Sequence, residues 1–157
     1  MRIGIIVHSK TGNTYSAAER IKGELSNIGH QVSIEKVIPF DDKATTVVDR
    51  VKLRSTPDTG EYDGIIFGAP VWGFKVSSVM EAYLNQIKSL KDKKVACFVT
   101  QSFPFPWLGG NNSTEQMKRI CESKGAIVAV TGTANRTKKY SYDNLAGKFK
   151  DFFNESE

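Results

Sequence analysis

The sequence predicts an α/β fold, an open parallel sheet with helices on both faces. Three observations carry that prediction. Short apolar runs and longer segments of helical period alternate from one end of the chain to the other. Several of the apolar runs are continuous, as in strands covered on both faces. Turns rich in Gly, Pro, Ser, Thr and Asn separate the two kinds of segment, and no break in composition divides the chain. Right-handed crossovers then leave few topologies.

Each element has its own reason. Arg2 to Val7 (R-I-G-I-I-V) reads as a buried strand. From Asn13 to Ile28, the residues Ala17, Ala18, Ile21, Leu25 and Ile28 make a helical stripe, which Gly29 stops. Gln31 to Ile38 mostly alternates and predicts a strand nearer an edge, closed by Pro39. Asp41 to Gly60 reads two ways. Val47, Val48, Val51 and Leu53 could line a short helix, while the Thr and Val content also permits extended structure; Pro57 and Gly60 mark a loop. Asp63 to Gly68 is a second buried strand, followed by a loop at Pro70. Val76 to Leu90 spaces Val79, Met80, Tyr83, Leu84, Ile87 and Leu90 as a helix. Lys94 to Val99 is a third buried strand, Ser113 to Ser123 a helix, and Gly125 to Val130 a fourth buried strand. Tyr142 to Phe153 closes the series with an amphipathic helix carrying Leu145, Phe149, Phe152 and Phe153.

Composition narrows the class. A chain of 157 residues suits one domain over 1–157 and can bury a core without staples. Its 39% hydrophobic and 25% charged residues exclude a disordered chain. No apolar run approaches the roughly 18 residues of a membrane-spanning helix, so no membrane insertion is expected. The run Ile3 to Val7 is too short for a signal-peptide core. Cys97 and Cys121 form no C-x-x-C pair, and with His8 and His30 as the only histidines a metal site is not expected. Free thiols of this kind suit a reducing compartment, so a cytoplasmic location is expected, with Cys97 as inert core sulfur.

In such a sheet, ligands bind beyond the carboxyl ends of the strands, where the strand order reverses. The first loop there is His8-Ser9-Lys10-Thr11-Gly12-Asn13-Thr14. It joins a buried strand to a helix start, where unpaired N–H groups and the positive dipole end favour an anion. Gly12 lets the backbone approach closely, and Ser9, Thr11 and Thr14 can donate O–H to phosphate oxygens. The same residues are also ordinary helix caps. The P-loop string G-x-x-x-x-G-K-[ST] is absent, and Gly12 stands alone where a dinucleotide fingerprint needs G-x-G-x-x-G. A phosphoacceptor receiver would place acidic residues where His8 stands.

Ser9 to Thr14, S-K-T-G-N-T, resembles the flavodoxin phosphate loop [ST]-x-T-G-x-T at every specified position. Tyr62 to Gly73 (Y-D-G-I-I-F-G-A-P-V-W-G) resembles the third strand of that family and the flavin-stacking loop after it. The resemblance covers essentially the whole chain. It implies a flavodoxin-like three-layer sandwich with a five-stranded parallel sheet in order 2-1-3-4-5, and FMN as cofactor. Ser9, Lys10, Thr11, Gly12, Asn13 and Thr14 would then hold the phosphate. Pro70, Val71, Trp72, Gly73 and Phe74 would meet the flavin ring: Trp72 offers a flat face, Pro70 a stiff approach, and Gly73 room for a backbone group near N5. Packing under a loop is the alternative reading of Trp72 and Phe74. Thr100, Gln101 and Ser102 resemble the polar turn that contacts the pyrimidine end. The apolar stretch Phe103 to Gly110 departs from the family pattern. Phe103, Phe105 or Trp107 could supply a second stacking ring, or the loop could cover a substrate, dock a partner or pack on the body.

The formal charge of +5 is distributed unevenly. Lys88, Lys91, Lys93 and Lys94 fall at the edge away from the flavin and read as a solvated surface. Lys10, Lys75, Arg136, Lys138 and Lys139 fall on the flavin edge, which is typically acidic in flavodoxins. No nucleic-acid module accompanies the charge. An FMN-dependent electron carrier with a redox protein partner that presents an acidic docking surface is expected; association insensitive to ionic strength would contradict that steering. Positive charge there also favours the anionic reduced flavin and a less negative potential, an expectation overturned if neutralising Lys75 and Lys138 leaves a redox titration unmoved. The alternative is an NAD(P)H-dependent quinone or flavin reductase of the same fold, and a flavin-free interaction domain is a third. Monomer and homodimer are both compatible with the sequence. No side chain demands a role as acid, base or nucleophile, so no catalytic residue is assigned.

Overall fold

The computed structural model describes residues 1–41, 48–102, 105 and 109–155. Among these, five parallel strands and four helices alternate: β1 Arg2–Val7, α1 Asn13–Asn27, β2 Gln31–Lys36, β3 Gly64–Trp72, α2 Ser78–Gln86, β4 Lys94–Gln101, α3 Gly110–Ser123, β5 Ile127–Asn135 and α4 Tyr140–Asn154. The sheet runs β2-β1-β3-β4-β5, the order implied by the flavodoxin resemblance. The order reverses between β1 and β3.

Period-two alternation explains why the strands read as continuous apolar runs. Ile6, Ile65, Phe67, Val95, Cys97 and Val99 face one core, which α2 and α3 close with Val79, Met80, Tyr83, Leu84, Met117 and Cys121. The intervening Ile5, Val7, Ile66, Ala96 and Phe98 face the other, closed by α1 and α4 with Ala17, Ala18, Ile21, Leu25, Leu145 and Phe149. Both faces of each central strand are therefore buried. The packing leaves no room at Gly68, where a Cβ would lie 2.2 Å from the Phe98 ring. Phe98 in turn meets Phe149 edge to face at 6.2 Å, a geometry worth about 1 kcal/mol beyond burial.

Several boundaries differ from the sequence expectation. The alternating run ends at Lys36, because Ile38 and Pro39 turn to pair antiparallel with Leu53–Ser55. In the ambiguous stretch, Val48–Arg50 forms a short 3-10 turn, while Val47 lies outside the described residues. Val76 belongs to a two-residue ladder with β3, and α2 starts after Ser77, whose Oγ accepts from the Met80 N–H. Ile87 leaves α2 in an extended conformation, yet Ile87 and Leu90 stay buried; their apolar spacing is satisfied without a helix. Gly125 is a turn at φ +97°, and β5 begins after it. Three strands also extend further at the carboxyl edge than their apolar runs do. That extension builds the site.

Candidate functional site

β1 delivers the first loop. The His8 N–H donates to Gly68 O at 3.0 Å, which carries the β1–β3 ladder one residue beyond the strand. The His8 ring is buried, with Nδ1 2.9 Å from Ser77 Oγ at the head of α2. Gly12 then takes a left-handed conformation, φ +94°, as the N-cap of α1. It brings no side chain to compete for the first N–H groups of the helix, and the space where a Cβ would stand is open.

The hydroxyls of this loop are engaged mainly as acceptors. Ser9 Oγ accepts from the Tyr15 N–H at 3.2 Å, and Thr11 Oγ1 accepts from Asn13 Nδ2 at 2.9 Å. Both bonds leave the hydroxyl proton available to an anion. Thr14 Oγ1 and Thr100 Oγ1 stand 2.7 Å apart and buried, so one donates to the other and a single O–H remains to donate. That pair joins the phosphate-loop end of α1 to the end of β4.

β3 delivers the second wall. Beyond Gly68 it continues through Trp72 and folds back, pairing Val71 with Val76 and Trp72 with Lys75. Gly73 and Phe74 form the two-residue turn at φ +57° and +66°, the left-handed pair that a tight hairpin requires. Phe74 is strained there, and α3 holds it: Asn112 Nδ2 donates to Phe74 O at 3.1 Å. Gly109 packs so closely that a Cβ would lie 2.9 Å from Val71 Cγ1. The Val76 N–H donates to Gln116 Oε1 at 3.2 Å, and Gln116 Nε2 donates to Glu81 Oε1. The half-buried Trp72 ring stands at 87° to His8, centroids 5.1 Å apart, which fixes its tilt.

β4 and β5 complete the rim. Gln101 Nε2 donates to Phe105 O at 2.7 Å, and Gln101 O accepts from the Arg136 N–H at 3.0 Å. The resulting cleft, about 180 Å³, is lined by Lys10, Thr11, Asn13, Thr14, Pro70, Val71, Trp72, Thr100, Gln101, Ser102 and Arg136. Residues expected at the site from three separate loops thus share one cavity. Ser9, Gly12, Gly73 and Phe74 do not line it: Ser9 and Gly12 shape the start of α1, and Gly73 and Phe74 make the hairpin turn. Phe103, Pro104, Pro106, Trp107 and Leu108 lie outside the described residues, and Phe105 is exposed.

Arg136 lies on this edge as the sequence predicts, but nothing in the sequence assigns it to the site or gives His8 a role. The other charge assignment changes more. Of the distal lysines, Lys93 Nζ donates to Tyr62 O at 2.7 Å and Lys94 Nζ to Phe152 O at 2.6 Å, so these are structural ties rather than a purely solvated face. Cys97 is buried, and its hydrogen bond with Cys121, together with desolvation, pushes the thiol well above its usual range.

The sequence model of a family described as NADPH-dependent FMN reductase matches residues 1–140. The chain belongs to that family. The fold is shared with flavodoxin 1 of Bacillus cereus, 20% identical over 100% of both chains with a TM-score of 0.71. Flavodoxin 2 of the same organism is 21% identical over 98% of this chain and 97% of that one, TM-score 0.70. A flavoprotein in complex with FMN from Lactobacillus acidophilus is 18% identical over 90% and 98%, TM-score 0.64. No curated protein matches the sequence. Family and fold together make this a flavodoxin-like, FMN-binding protein. The cleft fits that cofactor, having hydroxyl donors and a helix start with glycine as its N-cap at one end and the Pro70–Trp72 wall at the other.

Proposed function

We propose that the protein passes electrons between partners through FMN held in this cleft. In this reading, Ser9 to Thr14 hold the phosphate, Trp72 meets the ring, and Thr100 to Ser102 meet the pyrimidine end. Bound FMN supplies the redox chemistry. The protein's share is binding and tuning: hydroxyls and helix N–H groups neutralise the anion, His8 and Asn112 hold the Trp72 hairpin in place, and the apolar wall excludes water. One observation carries this reading. The donor set and the ring wall converge on a single cavity whose lining, among the described residues, contains no carboxylate, imidazole or thiol to act as acid, base or nucleophile.

The basic flavin edge, where Lys10, Lys75, Arg136, Lys138 and Lys139 are exposed, supports a redox partner with an acidic docking surface. Two buried cysteines, Cys97 and Cys121, without a C-x-x-C pair support a reducing cytoplasmic location. Among the described residues no helix is long and apolar enough to cross a membrane.

A second reading is favoured by the family itself: direct reduction by NADPH. The two separate in one experiment, in which the FMN-loaded protein is mixed anaerobically with NADPH and its flavin absorbance followed. Bleaching only after a reductase is added supports the carrier. Rapid bleaching by NADPH alone overturns it in favour of the reductase.

A further inference from the structure

We propose that Arg136 is a charge-bearing ligand of the flavin's phosphate, added from the end of β5 to the Lys10-containing loop at the start of α1. The inference rests on the FMN reading above and deepens it. Three observations support it.

The first is position. Arg136 follows β5 directly, and its N–H is fixed by Gln101 O at 3.0 Å. The turn it begins is bonded to itself: the buried Asn135 accepts on Oδ1 from the Thr137 N–H at 2.9 Å and from Thr137 Oγ1 at 2.6 Å, and the Asn135 N–H donates to Ser141 Oγ at 2.9 Å. A residue on so constrained a turn has its backbone preorganised, and Arg136 lines the same cavity as Thr11 and Thr14.

The second is charge. Among the described residues neither Arg136 nor Lys10 forms an ion pair, whereas Arg2, Arg20, Arg119 and Lys150 each do. Among the described residues the cavity lining holds both of these cations and no carboxylate. A phosphate monoester carries about −1.5 to −2 charges at neutral pH, so two unpaired cations match it.

The third is the chemistry of the donors already present. Hydroxyls and helix N–H groups bind an anion through dipoles, and Lys10 adds a compact point charge. A guanidinium adds a planar pair of charge-assisted donors suited to phosphate. Its contribution depends on the ligand's phosphate and falls with salt, because Arg136 is exposed to solvent. The site should therefore distinguish FMN from riboflavin by charge as well as by shape.

The test is flavin-fluorescence titration of the full-length apoprotein with FMN and with riboflavin, at low and high salt, for wild type, R136Q and R136K. R136Q is expected to weaken FMN about tenfold, leave riboflavin unchanged and flatten the salt dependence of FMN binding, with R136K recovering part of the loss. Equal weakening of FMN and riboflavin, or no weakening of FMN, overturns the proposal. A raised KM for NADPH with unchanged FMN affinity also overturns it and assigns the arginine to a nicotinamide cofactor. A wild type that takes up no FMN refutes the underlying reading as well, so the two failures are distinguishable.

Discussion

Both edges of the sheet carry basic side chains and use them in opposite ways. At the amino edge, Lys93 and Lys94 are half-buried, and their ammonium groups are committed to the carbonyls of Tyr62 and Phe152. Lys94 also lies 4.5 Å above the Phe152 ring. At the carboxyl edge, Lys10 and Arg136 are exposed beside a cavity whose polar groups keep protons in reserve. The presence of basic side chains does not separate the edges. What separates them is whether the donors are already spent.

Substitutions at each edge can break that comparison. Trp72→Ala removes the ring from the carboxyl-edge wall and should weaken FMN by about 10- to 100-fold, read by fluorescence titration. Unchanged affinity would remove Trp72 from the site. Thr14→Val keeps the shape but strands the buried Thr100 hydroxyl, which has lost its 2.7 Å partner. It should cost about 1–2 kcal/mol of stability in urea unfolding and lower FMN affinity about tenfold. A loss of affinity without loss of stability would show that the pair does not matter to the fold. At the other edge, Lys94→Met should cost about 1 kcal/mol of stability and leave FMN affinity unchanged.

The smallest effect is a pH dependence at the amino edge. His30 Nδ1 lies 3.0 Å from the terminal ammonium of Met1, and burial together with that charge lowers its pKa from 6.5. Because the folded state disfavours protonation, His30 contributes stability that is present above pH 6.5 and lost as pH falls through its depressed pKa. The Tm of His30→Gln should fall less than that of wild type between neutral and mildly acid pH. Parallel curves would exclude this contribution.

The cores were legible in the sequence and the strand ends at the rim were not, for one physical reason. Buried strand segments announce themselves by apolar side chains, but at the carboxyl edge backbone pairing continues under polar and small residues. β5 runs five residues past Val130, through Thr131, Gly132, Thr133, Ala134 and Asn135. Gly132 is small because Leu145 packs on it: a Cβ there would lie 2.4 Å from Leu145 Cδ1. Ending the strand at its last bulky residue detached Arg136 from the cavity it lines. In the same way, Pro70 signalled a loop, although it pairs with Thr100 as part of β3. The phosphate loop was legible because its chemistry is local, carried by consecutive hydroxyls and one glycine. His8 was not, because its partners Ser77 and Trp72 are remote in sequence.

The comparison of edges is tested most directly by amide hydrogen exchange on the protein with and without FMN. The account predicts new protection at residues 9–14, 70–73 and 100–102, with none at 60–63 or 91–94. Protection confined to the amino edge, or none anywhere at saturating FMN, would contradict it.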